Sequence, residues 1–95
     1  LTVEAQIQSA IVFGLSAALA GRIDIVGGEV QQKNFPDYPL LGMRDAPAIE
    51  THWINSTRAP TGMGEPALPP VAPALANALF VLTGQRLRSL PLQLV

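Results

Sequence analysis

The chain has 95 residues, 48% of them hydrophobic and 14% charged, with a formal charge of −1. A chain of this length is one small domain at most, and six Lys plus Arg are too few for the clustered positive charge that neutralises phosphates, which excludes a nucleic-acid surface. With no cysteine it holds no disulfide, no thiolate-bound zinc and no iron–sulfur cluster of its own, and it gives no clue to redox compartment.

Residues 2–20 contain no proline and many good helix formers, with Glu4 in the first turn and Gly21 placed as a C-cap, which predicts a helix. Its apolar positions, from Val3 through Leu19, run round most of the helical wheel. A helix apolar all round is expected to be buried on all sides. Arg22-Ile23-Asp24-Ile25-Val26 alternates polar and apolar, Gly27-Gly28 follows, and residues 29–35 resume the alternation, which predicts a β-hairpin. Phe35-Pro36-Asp37-Tyr38-Pro39 breaks that pattern, and the connection through Gly42 to Pro47 reads as a packed irregular loop.

Residues 49–54, with Thr51 and Trp53 among them, predict a third strand, and residues 55–63 a polar loop. A second helix is predicted over 70–82, ending at Gly84 and again almost wholly apolar. Asn77 is its one strongly polar interior residue, expected to be buried and to tie down neighbouring backbone. Arg86 and Arg88 are placed to complement a helix C-terminus or a neighbouring surface. No apolar run of eighteen or more is free of proline and polar groups, so no transmembrane segment is expected. The fold class is α+β: two apolar helices with a small antiparallel sheet, made of the hairpin plus one further strand. The composition is more apolar than a free-standing small domain needs, so the chain is expected to be part of something larger.

The strongest candidate for chemistry is Gly62-Met63-Gly64-Glu65-Pro66. Two glycines permit positive φ and the close approach of a bulky partner to the backbone, while Pro66 stiffens the exit beside the acid. Pro69 and Pro70 suit a first helical turn, so Glu65 is expected near a helix N-terminus, where unpaired N–H groups favour anions.

Further motifs frame this one: Gln6, Ile11-Val12-Phe13-Gly14-Leu15-Ser16-Ala17-Ala18-Leu19, Asn34-Phe35-Pro36-Asp37-Tyr38, Ala46-Pro47-Ala48-Ile49-Glu50, Pro73-Ala74-Leu75-Ala76-Asn77-Ala78 and Thr83-Gly84-Gln85-Arg86-Leu87. In this order they resemble the C-terminal end of a xanthine oxidase-family molybdenum hydroxylase large subunit. The resemblance covers nearly the whole chain and is closest to the branch containing isoquinoline 1-oxidoreductase and aldehyde oxidoreductases. It implies that residues 1–95 form a C-terminal fragment of a molybdopterin-binding domain, inactive alone. By position Glu65 would be the general base of a hydroxylation that draws its oxygen from water, acting on an N-heterocycle or an aldehyde.

The same resemblance implies a molybdenum–molybdopterin cytosine dinucleotide whose metal is held by the pterin dithiolene and needs no protein ligand. A separate small subunit would carry [2Fe–2S] clusters. Gln6 would contact the pterin, where its amide can donate and accept at once, and Gly62, Met63 and Gly64 would bring backbone N–H groups to the metal's oxygens. The chain departs from the family at Gln8-Ser9-Ala10, where Glu-Gly-Gly is usual.

Each of these readings has a plainer rival. Without the family, Glu65 is an ordinary loop acid and Gln6 a bridging or capping amide. His52 with Asp45 and Ser56 invites a hydrolytic triad, but no nucleophile elbow surrounds it, and no second His or Cys joins it as a metal ligand. Trp53, Phe35 and Tyr38 read as packing residues. The alternative of another class is a non-catalytic structural or interaction module packing against a partner chain.

Overall fold

The computed structural model describes residues 2–94. Helix α1 spans Thr2–Leu19 and helix α2 spans Val71–Thr83. Between them lie a hairpin of two-residue strands, β1 (Ile25–Val26) and β2 (Glu29–Val30), and a single 3₁₀ turn over Phe35–Asp37. The hairpin is antiparallel, pairing Ile25 with Val30 and Val26 with Glu29. Gly27 and Gly28 both take positive φ, 60° and 81°, as a two-residue turn matching strand twist requires.

The two helices pack on each other, and Gly14 is a point of close approach between them. A β-carbon on Gly14 would lie 2.9 Å from Val71 Cβ and 3.2 Å from the Leu68 carbonyl oxygen, so only glycine lets α2 begin there. The buried residues of α1 are Ala10, Gly14, Ser16 and Ala18. Ser16 Oγ donates to the Val12 carbonyl at 3.1 Å and accepts from the Leu41 N–H at 2.9 Å, pinning the irregular loop to the helix. Farther along, the Leu92 N–H donates to the Ala18 carbonyl at 2.7 Å and brings the tail onto the end of α1.

Several expectations are corrected. α1 ends at Leu19 without a left-handed glycine: the N–H groups of Ala20 and Gly21 both reach the Ser16 carbonyl. Gly21 is instead a point of close approach, where a β-carbon would stand 2.8 Å from the Tyr38 hydroxyl. The left-handed cap does occur at Gly84, φ 75°, whose N–H bonds the Phe80 carbonyl. Residues 49–54 form no strand; residues 47–50 instead line a groove with residues of α1 and α2. Asn77 is exposed, and its partner is a side chain, with Arg86 Nη1 donating to Asn77 Oδ1 at 2.7 Å. Arg86 also stacks on Phe80, 4.1 Å from the ring centre.

Neither helix is buried all round; α2 has no buried residue. The described residues include no large side chain that is fully enclosed, and Phe35, Met43 and Ile54 are 90%, 94% and 96% exposed. The radius of gyration is 16.1 Å, against about 12–13 Å for a compact chain of this length. The accessible surface is 7724 Å², roughly 2,500 Å² above that of a folded monomer of this mass. By length and composition alone α1 passes as a membrane-crossing helix, a test that the core helix of a larger protein also meets.

Candidate functional site

Glu65 sits at the head of two consecutive turns that lead into α2. The Leu68 N–H donates to the Glu65 carbonyl at 2.9 Å, and the Val71 N–H to the Leu68 carbonyl at 3.2 Å. Glu65 therefore precedes the first turn of α2 rather than lying in it, and Pro70 at the N-cap offers no side-chain bond. The Gly14 contact with Leu68 and Val71 fixes this connector against α1 from below.

On the α1 side, Glu65 and Gly64 face Ser9, Ala10 and Phe13 across a cleft of about 180 Å³, with Leu68 completing the wall. These α1 positions recur at three- and four-residue intervals and so form one stripe, and Gln6 lies one turn farther along the same stripe. Gln6 and Glu65 are both exposed. Sequence reasoning singled out Gln6 and marked Ser9 and Ala10 as a departure on the same helix, but did not place them or Phe13 beside Glu65, although the helical repeat from Gln6 reaches each of them. Ser9 and Ala10, two of the three residues read in the sequence as a departure from the resembled pattern, line the wall of the Glu65 cleft.

Gly62 and Gly64 do not adopt positive φ, contrary to the expectation for this loop. A β-carbon at either would meet nothing within 4 Å. Their role inside this chain is thus neither a left-handed turn nor a tight contact; they leave an open backbone face beside Glu65. His52, Asp45 and Ser56 are exposed residues, and no described hydrogen bond joins them. Among the described residues no group of three or more His, Cys, Asp or Glu could hold a metal ion.

Away from this cleft, the hairpin carries its own polar cluster. Arg22 Nε contacts Asp24 Oδ1 at 2.8 Å and Gln32 Nε2 donates to Asp24 Oδ2 at 3.3 Å. The Arg22 hydrogen bond holds the Asp24 carboxyl below its usual value, partial desolvation opposing and the Gln32 amide assisting. These groups buttress the start of β1 and take no part in the Glu65 cleft.

No family model matches the chain. Over 91 residues it is 41% identical to isoquinoline 1-oxidoreductase subunit beta of Brevundimonas diminuta, a match that covers 96% of this chain and 12% of that protein. This chain is homologous to a segment of a molybdenum hydroxylase large subunit. It is also 34% identical over 99 residues to a putative xanthine dehydrogenase molybdenum-binding subunit of Escherichia coli (strain K12), covering 97% of this chain and 13% of the relative. A third relative, 37% identical over 90 residues with 95% and 12% covered, is named membrane-bound aldehyde dehydrogenase (pyrroloquinoline-quinone), from Gluconacetobacter polyoxogenes. The chain spans about one-eighth of the length of these curated relatives.

Proposed function

We propose that this chain is the C-terminal part of the molybdenum-binding subunit of an oxidoreductase, and that Glu65 is its general base. Hydroxylation with water breaks one C–H bond and forms one C–O bond, releasing two electrons and two protons. When bound, the molybdenum–pterin cofactor supplies the two-electron oxidation. Glu65 handles only a proton, which its carboxylate takes from the water-derived oxygen as that oxygen bonds to carbon. An acid carried on a connector braced against α1 is suited to holding one position while the proton moves.

The residues present fit one wall of such a site. The open backbone at Gly62 and Gly64 leaves room for the cofactor against the main chain, with Met63 beside it. The exposed amide of Gln6 offers a donor and an acceptor to the pterin portion. The cytosine dinucleotide form, an N-heterocycle or aldehyde substrate, and a partner subunit carrying [2Fe–2S] clusters complete the reading. Its support is the resemblance of the motifs together with the names of the relatives, which are oxidoreductase and dehydrogenase subunits.

The single observation that carries the proposal is the placement of Glu65 and Gly64 across a cleft from Ser9, Ala10 and Phe13 of α1. One observation favours the non-catalytic alternative, namely that Ser9 and Ala10, which line that same cleft, stand where the resembled family has Gly-Gly. Glu65→Gln in the complete subunit separates the two, with turnover and molybdenum content measured on one sample. Loss of turnover with molybdenum retained supports the base; near-normal turnover removes Glu65 from the mechanism.

A further inference from the structure

Glu65 is braced through its main chain and not through its side chain. The Leu68 N–H bonds the Glu65 carbonyl, and the connector rests on α1 at Gly14. Among the described residues, the carboxylate itself takes part in no hydrogen bond or ion pair. Three side-chain torsions separate a glutamate's backbone from its oxygens, whereas a general base works only within hydrogen-bond reach of the proton it takes. A fixed backbone alone does not aim the acid.

The cleft that Glu65 lines offers one further polar side chain. Ala10, Phe13, Gly64 and Leu68 give it apolar or backbone surface, and Ser9 gives it a hydroxyl. A hydroxyl inside a helix often donates to the carbonyl four residues earlier. Ser16 and Thr83 do so here, to Val12 at 3.1 Å and to Leu79 at 2.6 Å. Ser9 makes no such bond among the described residues, so its proton is left to the cleft. No direct bond joins Ser9 to Glu65 either, and a link between two polar groups at longer range runs through water. The cleft, of about 180 Å³, has room for one, since a water's share of liquid volume is about 30 Å³.

We propose that Ser9 is the positioning residue for Glu65: its hydroxyl donates to a water in the cleft, and that water donates to the carboxylate. The inference rests on the reading of Glu65 as the general base. It also gives the departure at Ser9 a use, because a glycine at that position has no donor to offer. Gly14 then sets the backbone of the acid, and Ser9 sets its oxygens.

The test uses the complete subunit with its cofactor and compares Ser9→Ala, Ser9→Thr, Glu65→Gln and the Ser9→Ala/Glu65→Gln double variant. Ser9 is exposed and alanine is the better helix former, so the fold is retained. Ser9→Ala is expected to lower kcat by roughly 10- to 100-fold, the scale of a misplaced reacting group, with KM and molybdenum content unchanged. Ser9→Thr keeps the hydroxyl and most of the rate, and Ser9→Ala adds no further loss to Glu65→Gln. An unchanged kcat in Ser9→Ala, an equal fall in Ser9→Thr, or an equal further loss in the Glu65→Gln background overturns the inference. A crystal structure of the complete subunit reads the same link without turnover. A water within hydrogen-bond distance of both Ser9 Oγ and the Glu65 carboxylate is expected, and its absence overturns the inference. Near-normal turnover of Glu65→Gln removes the base, and the crystal structure then decides the Ser9 link by itself.

Discussion

Gly14 in α1 and Val71 at the start of α2 meet so closely that a β-carbon on Gly14 would approach Val71 Cβ to 2.9 Å and Val71 Cγ2 to 3.0 Å. The same β-carbon would lie 3.2 Å from the Leu68 carbonyl oxygen, which is the acceptor that closes the second turn of the Glu65 connector. One glycine thus sets both the spacing of the helices and the height of the candidate base above α1.

Gly14→Ala is expected to push α2 and the connector away from α1. Overpacking of this kind costs about 1–3 kcal/mol, so the thermal midpoint of the complete subunit should fall, and turnover should fall with it while molybdenum stays bound. A variant with unchanged midpoint and turnover would mean that the helices separate without consequence.

Glu65→Gln preserves shape and hydrogen-bonding capacity but removes the proton acceptor. A positioned general base contributes roughly 10²–10⁴-fold, and turnover should drop on that scale, with the molybdenum-to-protein ratio unchanged by elemental analysis.

Ser16→Ala removes the acceptor of the Leu41 N–H and the donor to the Val12 carbonyl. Ser16 is buried, and a backbone donor left without a partner costs about 1–3 kcal/mol. Hydrogen exchange at the Leu41 amide should accelerate before any change is seen in α2. Equal exchange in both proteins would show that the loop is held by other contacts.

Asp24 predicts a pH effect with a defined sign. Its carboxyl is held below the ordinary value of 3.8 by Arg22 first and Gln32 second. A depressed folded-state value stabilises the fold above the unfolded-state value, and that contribution is lost as pH falls through the lower folded value. A carboxyl titration followed by NMR should place Asp24 below 3.8, and Arg22→Ala should move it upward. The group lies at the surface, so the effect on overall stability is small.

Both helices, the hairpin and the Gly84 cap were legible in the sequence because each depends on neighbours along the chain: helix formers without proline in α1, paired glycines after alternating residues, a glycine after an apolar run. Asn77 and the residues around Ile49 were not legible for the opposite reason. A polar residue in an apolar helix implies burial only if something covers the helix, and here Arg86 of the same chain reaches back to Asn77 instead. A strand-like pattern at 49–54 yields a strand only where an edge pairs with it, and here residues 47–50 line a groove with residues of α1 and α2 instead. The Glu65 cleft was half legible: the motif marked the acid and the sequence marked Ser9 and Ala10 on α1, whereas their meeting with Glu65, and the part of Phe13, emerged only when α1 was seen beside the connector.

The open backbone face at Gly62 and Gly64, where an added β-carbon would touch nothing within 4 Å, bears on how the loop is shaped. On the proposed reading, α1 of this chain braces the connector that carries Glu65, while whatever covers the Gly62 and Gly64 backbone is supplied by the cofactor or by the rest of the subunit. The chain therefore fixes the acid from one side and leaves its other side bare, so the two faces of the loop are shaped by different parts of the protein.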